Sequence, residues 1–166
     1  MILVLHNIRS VYNVGSIFRT ADAAGVEKIF LTGYTPAPLD RFGRARKDLA
    51  KVSLGAEKTV PCVQSNSIAH AIKLVKREGY LVAAVEQGKN SVSLFKFKPH
   101  KRLALVLGNE VRGLSKSSLK LCDVIIEIPM RGRMVRQVHH PRQTRRGKES
   151  LNVSVAAGVV MFTLLQ

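Results

Sequence analysis

Tryptophan is absent from this chain, aromatic residues make up only 5 %, and cysteine occurs twice. Cys62 and Cys122 stand far apart and form no CxxC, so a disulfide framework is excluded. Both read as reduced, buried thiols of a cytoplasmic protein. The five histidines do not gather with cysteine or carboxylate at ligand spacing, so no metal is expected. Neither a GxGxxG dinucleotide fingerprint nor a P-loop occurs, and there is no zinc finger, RRM signature or strong helix-turn-helix. Met1–Leu5 is too short for a signal-peptide core and lacks a basic leader. The longest charge-free run, 150–166, falls short of the ~20 residues of a membrane span and carries Asn152 and Ser154. No repeat, linker or internal boundary is visible, so residues 1–166 read as one domain.

Acids are also scarce. Eleven Asp and Glu face 27 Lys and Arg, giving a net charge of +16 and a pI near 10.6. A globular domain this basic most often meets a polyanion, with nucleic acid the first choice. A 46 % apolar content supports a packed core.

What is present alternates between two periods. Ile2–Leu5, Lys28–Leu31, Thr59–Val63, Tyr80–Val85, Leu103–Leu107 and Val124–Ile128 read as short buried strands. Between them, Val14, Ile17, Phe18 and Ala21 recur at helical spacing up to Gly25, and Ser67 caps a helix with Ile68, Ile72 and Val75 inward. The expected fold is α/β, a mostly parallel sheet with helices on both faces. Asn13 reads either as the first helix's N-cap or as a site residue. Arg19 lies about 140° from Val14 on that helix, off its apolar stripe, where a solvated arginine is the plain alternative. The final helix, about Asn152–Leu164, carries no charge on any side. A helix apolar all round needs two covers, and a second copy of the chain is the simplest second cover.

The stretch Leu103–Ser115, LALVLGNEVRGLS, organises the rest. A strand buried on both faces ends at Gly108 and then presents Asn109, Glu110 and Arg112. Val124–Arg131, VIIEIPMR, repeats the design. In open α/β sheets ligands sit beyond the carboxyl ends of such strands, so the two strands are expected side by side, framing one pocket.

Three ordered stretches, NxGxxxRTADAAG (Asn13–Gly25), LVLGNExRGLS (Leu105–Ser115) and IPM followed by SLNVSVAAG (Ile128–Met130, Ser150–Gly158), resemble the three signature motifs of the TrmH/SpoU branch of the SPOUT RNA methyltransferases. The resemblance covers nearly the whole chain and looks like the short, stand-alone members. It implies S-adenosylmethionine-dependent methylation of a ribose 2′-hydroxyl in tRNA or rRNA, a homodimer through the C-terminal helix, and a C-terminal trefoil knot, a rare exception to the no-threading rule. Carried over by motif, Asn13, Arg19, Glu110, Ser150 and Asn152 match active-site positions. Leu107, Gly108, Ile128, Met130, Leu151 and Asn152 would line the cofactor site.

A ribose hydroxyl must lose its proton as it attacks the methyl carbon in line. Arg19 can hold the adjacent phosphate with its planar fork. A guanidinium has no free acceptor site and is a poor literal base, so the substrate phosphate or Glu110 would share that role. Glu110 also has a bland reading, as a partner of Arg112 or of amides at a helix start. Arg9, Arg41, Arg44, Arg46, Lys47 and Arg112 are the expected RNA contacts, and Lys96, Lys98, His100, Lys101 and Arg102 form a second basic patch.

The third motif is interrupted by Met134–Gly147, MVRQVHHPRQTRRG, whose removal would leave IPMRGRKESLNVS. This insert is basic and free of acid. It reads as a flap that grips RNA, as an excursion that spoils the cofactor pocket, or as a loop without a role. The second option keeps open a non-catalytic RNA-binding relative.

Overall fold

The computed structural model describes residues 1–130 and 150–165. Its strands are β1 (Ile2–His6), β2 (Lys28–Thr32), β3 (Cys62–Ser65), β4 (Leu81–Val85), β5 (Val92–Ser93), β6 (Leu103–Leu107) and β7 (Val124–Glu127). They form one sheet in the order β3-β2-β1-β6-β4-β7-β5, and every pairing is parallel. The α-helices are α1 (Val11–Ala23), α2 (Lys47–Ser53), α3 (Ala56–Thr59), α4 (Ile68–Arg77), α5 (Lys116–Leu119) and α6 (Val153–Leu164).

The unbroken apolar runs are explained by the two covers. Side chains alternate across a strand. Leu3 and Leu5 of β1, with Leu103, Leu105 and Leu107 of β6, join Val14, Ile17 and Phe18 of α1 and Ala157, Val160 and Met161 of α6 in one core. Ile2, Val4, Ala104 and Val106 point the other way, onto Ala71, Ile72 and Val75 of α4. A central strand therefore has no polar face to show.

Three expectations are corrected. Asn13 is not the N-cap: Ser10 caps α1, its hydroxyl accepting from the Asn13 amide at 3.2 Å, and Asn13 sits inside the first turn. Thr59 ends α3, so the third strand starts only at Cys62. The strands of the second and third motifs are not neighbours, because β4 lies between β6 and β7. Both cysteines are half-buried and free, and burial pushes the Cys122 thiol up to about 11. The trefoil knot depends on the path of 131–149 and lies outside the described residues, as does the Met134–Gly147 insert.

Candidate active site

The chain leaves β1 toward β2 and β3, then returns past it to build β4, β6, β7 and β5 on the other side. Such a reversal places a crevice at the strands' carboxyl ends. A cleft of about 720 Å³ occupies that position, lined by Leu107, Gly108, Ile128, Met130, Ser150 and Leu151, among others. Every expected cofactor residue except Asn152 faces it directly, and Asn152 stands between its wall residues Leu151 and Val153.

The loop after β6 is tied at both ends. Asn109 Oδ1 accepts the amides of Val111 and Arg112, both at 2.9 Å, and its Nδ2 donates to the Asn7 carbonyl at 2.9 Å. Glu86, just beyond β4, accepts the Leu114 amide at 2.9 Å. Gly113 sits there at φ +62°, and a Cβ on it would lie 2.1 Å from the Glu86 carboxylate. A Cβ on Gly108 would meet the Gly113 carbonyl carbon at 2.8 Å. The loop can fold back only because both positions lack a side chain. Glu86 lines the cleft and was not foreseen as a site residue. Its signal was its position just past a buried strand, and the register that brings β4 between β6 and β7 was not visible in the chain.

Glu110 is the hub. Its carboxylate accepts from the Arg9 amide at 3.1 Å, the Ser10 amide at 3.2 Å and Asn13 Nδ2 at 3.0 Å. Asn13 Oδ1 in turn accepts from Asn152 Nδ2 at 3.2 Å, while Asn152 Oδ1 caps α6 by accepting the Ser154 amide at 2.9 Å. One chain of hydrogen bonds thus joins all three signature stretches. Partial burial works against ionisation of Glu110, but the Arg9 amide, its own amide, the Asn13 side chain and the Ser10 amide outweigh it. The carboxyl is held below its ordinary value, which suits a fixed anion and not a proton acceptor near neutrality. The helix-start reading of Glu110 is therefore what the geometry brings about, and no ion pair to Arg112 forms among the described residues.

Arg19 is not in this constellation. Six residues beyond Asn13 means about 9 Å of rise and roughly 240° of rotation. Arg19 leaves α1 on another side, is exposed, and meets no carboxylate among the described residues. Arg9 and Arg112 line a second groove beside the cleft. Arg41, Arg44 and Lys47 are exposed along the loop before α2 and at its start, with Arg46 partly buried. Arg102 of the second basic patch is spent on the fold, donating to the Glu78 carbonyl at 2.6 Å and standing over the Tyr80 ring. Among the described residues no cluster of His, Cys, Asp or Glu could hold a metal, and no helix is long and apolar enough to cross a membrane.

The SpoU rRNA Methylase family model matches residues 1–135, ending just inside the insert. The 23S rRNA (guanosine-2'-O-)-methyltransferase RlmB of Escherichia coli is 30 % identical over 161 residues, which is 97 % of this chain and 58 % of RlmB. The chain thus spans under two thirds of that relative. The TrmH/SpoU tRNA modifying enzyme of A. aeolicus superposes with a TM-score of 0.78 at 25 % identity, covering 99 % of this chain and 73 % of that one. An AdoMet-bound rRNA methyltransferase from Sinorhizobium meliloti gives 0.78 at 25 % identity over 98 % of this chain and 54 % of its own.

Proposed function

The chain belongs to the SpoU rRNA methylase family, and from that premise we propose that it is an RNA methyltransferase acting on a ribose 2′-hydroxyl of tRNA or rRNA with S-adenosylmethionine as methyl donor. The observation that carries this reading is the hydrogen-bonded chain Glu110–Asn13–Asn152, which reaches the cleft through Glu110. It draws three motifs, distant in sequence, onto one pocket.

The cleft suits the cofactor. Its volume falls in the range of about 300–1,000 Å³ usual for small-molecule sites. Apolar Leu107, Ile128, Met130 and Leu151 offer a bed for a flat ring, and Gly108 lets the loop at Gly113 and Leu114 close against the end of β6 beside them. S-adenosylmethionine, when bound, supplies an electrophilic methyl carbon. The protein's own groups do the rest. Glu110, Asn13 and Asn152 tie the loop after β6 to the starts of α1 and α6 and are positioning residues. Ser150 offers a hydroxyl on the cleft's wall. The leaving proton goes to the substrate phosphate or to water, because Glu110 is saturated with donors and a guanidinium offers donors only.

Arg19 holds the phosphate next to the reacting ribose. It lines neither groove of its own protomer, so this role belongs to a homodimer in which it serves the partner's cleft. α6 supports that assembly. Val155, Val159 and Phe162, at i, i+4 and i+7, are 51 %, 36 % and 50 % exposed. They leave one apolar face of α6 without the second cover its composition requires. A single domain over 1–166, a knotted C-terminal third, an RNA face built from Arg9, Arg41, Arg44, Arg46, Lys47 and Arg112, and a cytoplasmic setting complete the reading.

Methyl-labelled S-adenosylmethionine, incubated with the protein and with RNA from cells lacking its gene, is expected to place label in 2′-O-methyl nucleosides after digestion. RNA binding without any cofactor binding in calorimetry would instead favour the non-catalytic relative. Deleting 134–147 would then raise cofactor affinity, whereas a flap would lose RNA affinity on the same deletion.

A further inference from the structure

Beside the cleft lies an open groove of about 590 Å³, lined by Arg9, Tyr34, Asn109, Val111 and Arg112. Asn109, Val111 and Arg112 line the cleft as well, so the two spaces share one wall. Tyr34 is 58 % exposed; Tyr12, Phe42, Phe95 and Phe162 are exposed as well, but of these aromatic residues Tyr34 is the one that lines the groove. Its ring is not loose. The Tyr34 hydroxyl accepts from Asn109 Nδ2 at 3.0 Å and its amide donates to Asn7 Oδ1 at 3.3 Å. The two arginines are planted by the same loop, the Arg9 amide on the Glu110 carboxylate and the Arg112 amide on Asn109 Oδ1. Neither guanidinium meets a carboxylate among the described residues.

A pre-oriented aromatic ring flanked by two unpaired guanidinium groups is the minimal equipment for one unpaired nucleotide. Every base has a π-face for the ring, and each phosphodiester has an anion for the arginines. A duplex hides those faces in its own stack and could not use the ring. We infer that this groove is the subsite for the nucleotide flanking the reacting ribose, its base stacked on Tyr34 and its phosphate held by Arg9 and Arg112. Because Asn109 shapes the loop at the cleft and also holds the Tyr34 hydroxyl, seating that nucleotide braces the cleft's wall. Selection then favours sites where the neighbour of the target can unstack. The inference rests on the RNA methyltransferase reading above and adds to it a requirement for a single-stranded neighbour.

The test is binding of the full chain to a short single-stranded oligoribonucleotide carrying 2-aminopurine, alongside the same sequence as a duplex. The parent protein is expected to quench the 2-aminopurine and to prefer the single strand. Tyr34→Ala is expected to lose the quench and roughly ten-fold in affinity, the scale of one base–aromatic stack, with its salt dependence unchanged. Tyr34→Phe keeps the ring and is expected to keep the quench, which separates stacking from disturbance of the loop. Arg9→Ala and Arg112→Ala are each expected to lower the salt slope by about 0.7 for a single strand. Undiminished quench and affinity in Tyr34→Ala, with the arginine variants weakened, overturns the subsite and leaves the methyltransferase reading standing. A parent protein that binds neither RNA overturns the reading beneath it.

Discussion

The two halves of α1 follow opposite rules. Its first turn is closed: Ser10 caps it, Glu110 takes the amides ahead of it, and Asn13 is gripped from both sides by Glu110 and Asn152. In its second half Phe18 and Ala21 are buried, but Arg19 stands exposed and forms no ion pair among the described residues. The groups that build the geometry are consumed by it, whereas the group expected to meet substrate is left free. Residues of one motif can therefore have very different chemistry, and a mutation series along one helix should divide them.

The sharpest division is expected at Arg19. Arg19→Ala should reduce turnover by about 10²–10³-fold or more, the scale of removing a transition-state electrostatic contact, while calorimetry finds cofactor binding unchanged. Comparable methylation by this variant would erase the distinction between the two halves. Glu110→Ala should act in the other way, through stability. It leaves the Arg9 and Ser10 amides and the Asn13 side chain short of an acceptor, at a cost of about 1–3 kcal/mol, read as a lowered Tm together with weakened cofactor binding.

Sequence reading reached every strand but β5 from short-range patterns, because buried strands announce themselves as unbroken apolar runs. The expected cofactor residues came instead from the motif resemblance, and all six lie on or beside one pocket. What it missed came from pairings made at a distance. Nothing local in Leu81–Val85 says that this strand will insert between β6 and β7, and with it Glu86 entered the site unannounced. Of the two readings open for Asn13, the cap falls instead to Ser10, three residues earlier; both are good capping types, and only the amide geometry separates them.

A smaller effect is expected from the face the protomer leaves open. If the proposed homodimer forms through α6, Val159→Glu should turn it into a monomer in sedimentation with the circular dichroism of the single chain preserved, since Val159 is 36 % exposed in the single chain. A variant that stays dimeric would place the contact elsewhere and remove the case for Arg19 acting across it.

The smallest effect lies in pH. The Glu110 carboxyl titrates below its ordinary value of 4.5 in the folded protein. Its contribution to stability is complete above that value and is lost as pH falls through the lower folded one. The parent should lose stability over this acidic window by more than Glu110→Gln, which carries no proton to take up there. Parallel melting curves for the two would show that Glu110 is not the closed end's anchor.

Asn152 has a double duty with a consequence for biosynthesis. It starts α6 and also closes the hydrogen bond to Asn13, a partner 139 positions earlier. During translation the sheet's early strands can pair while the pocket still lacks one wall. Contacts of such long range form late, after the chain between them has been ordered. A nascent or clipped polypeptide should therefore show native-like secondary structure and no ligand affinity, so that cofactor binding itself reports that folding has finished.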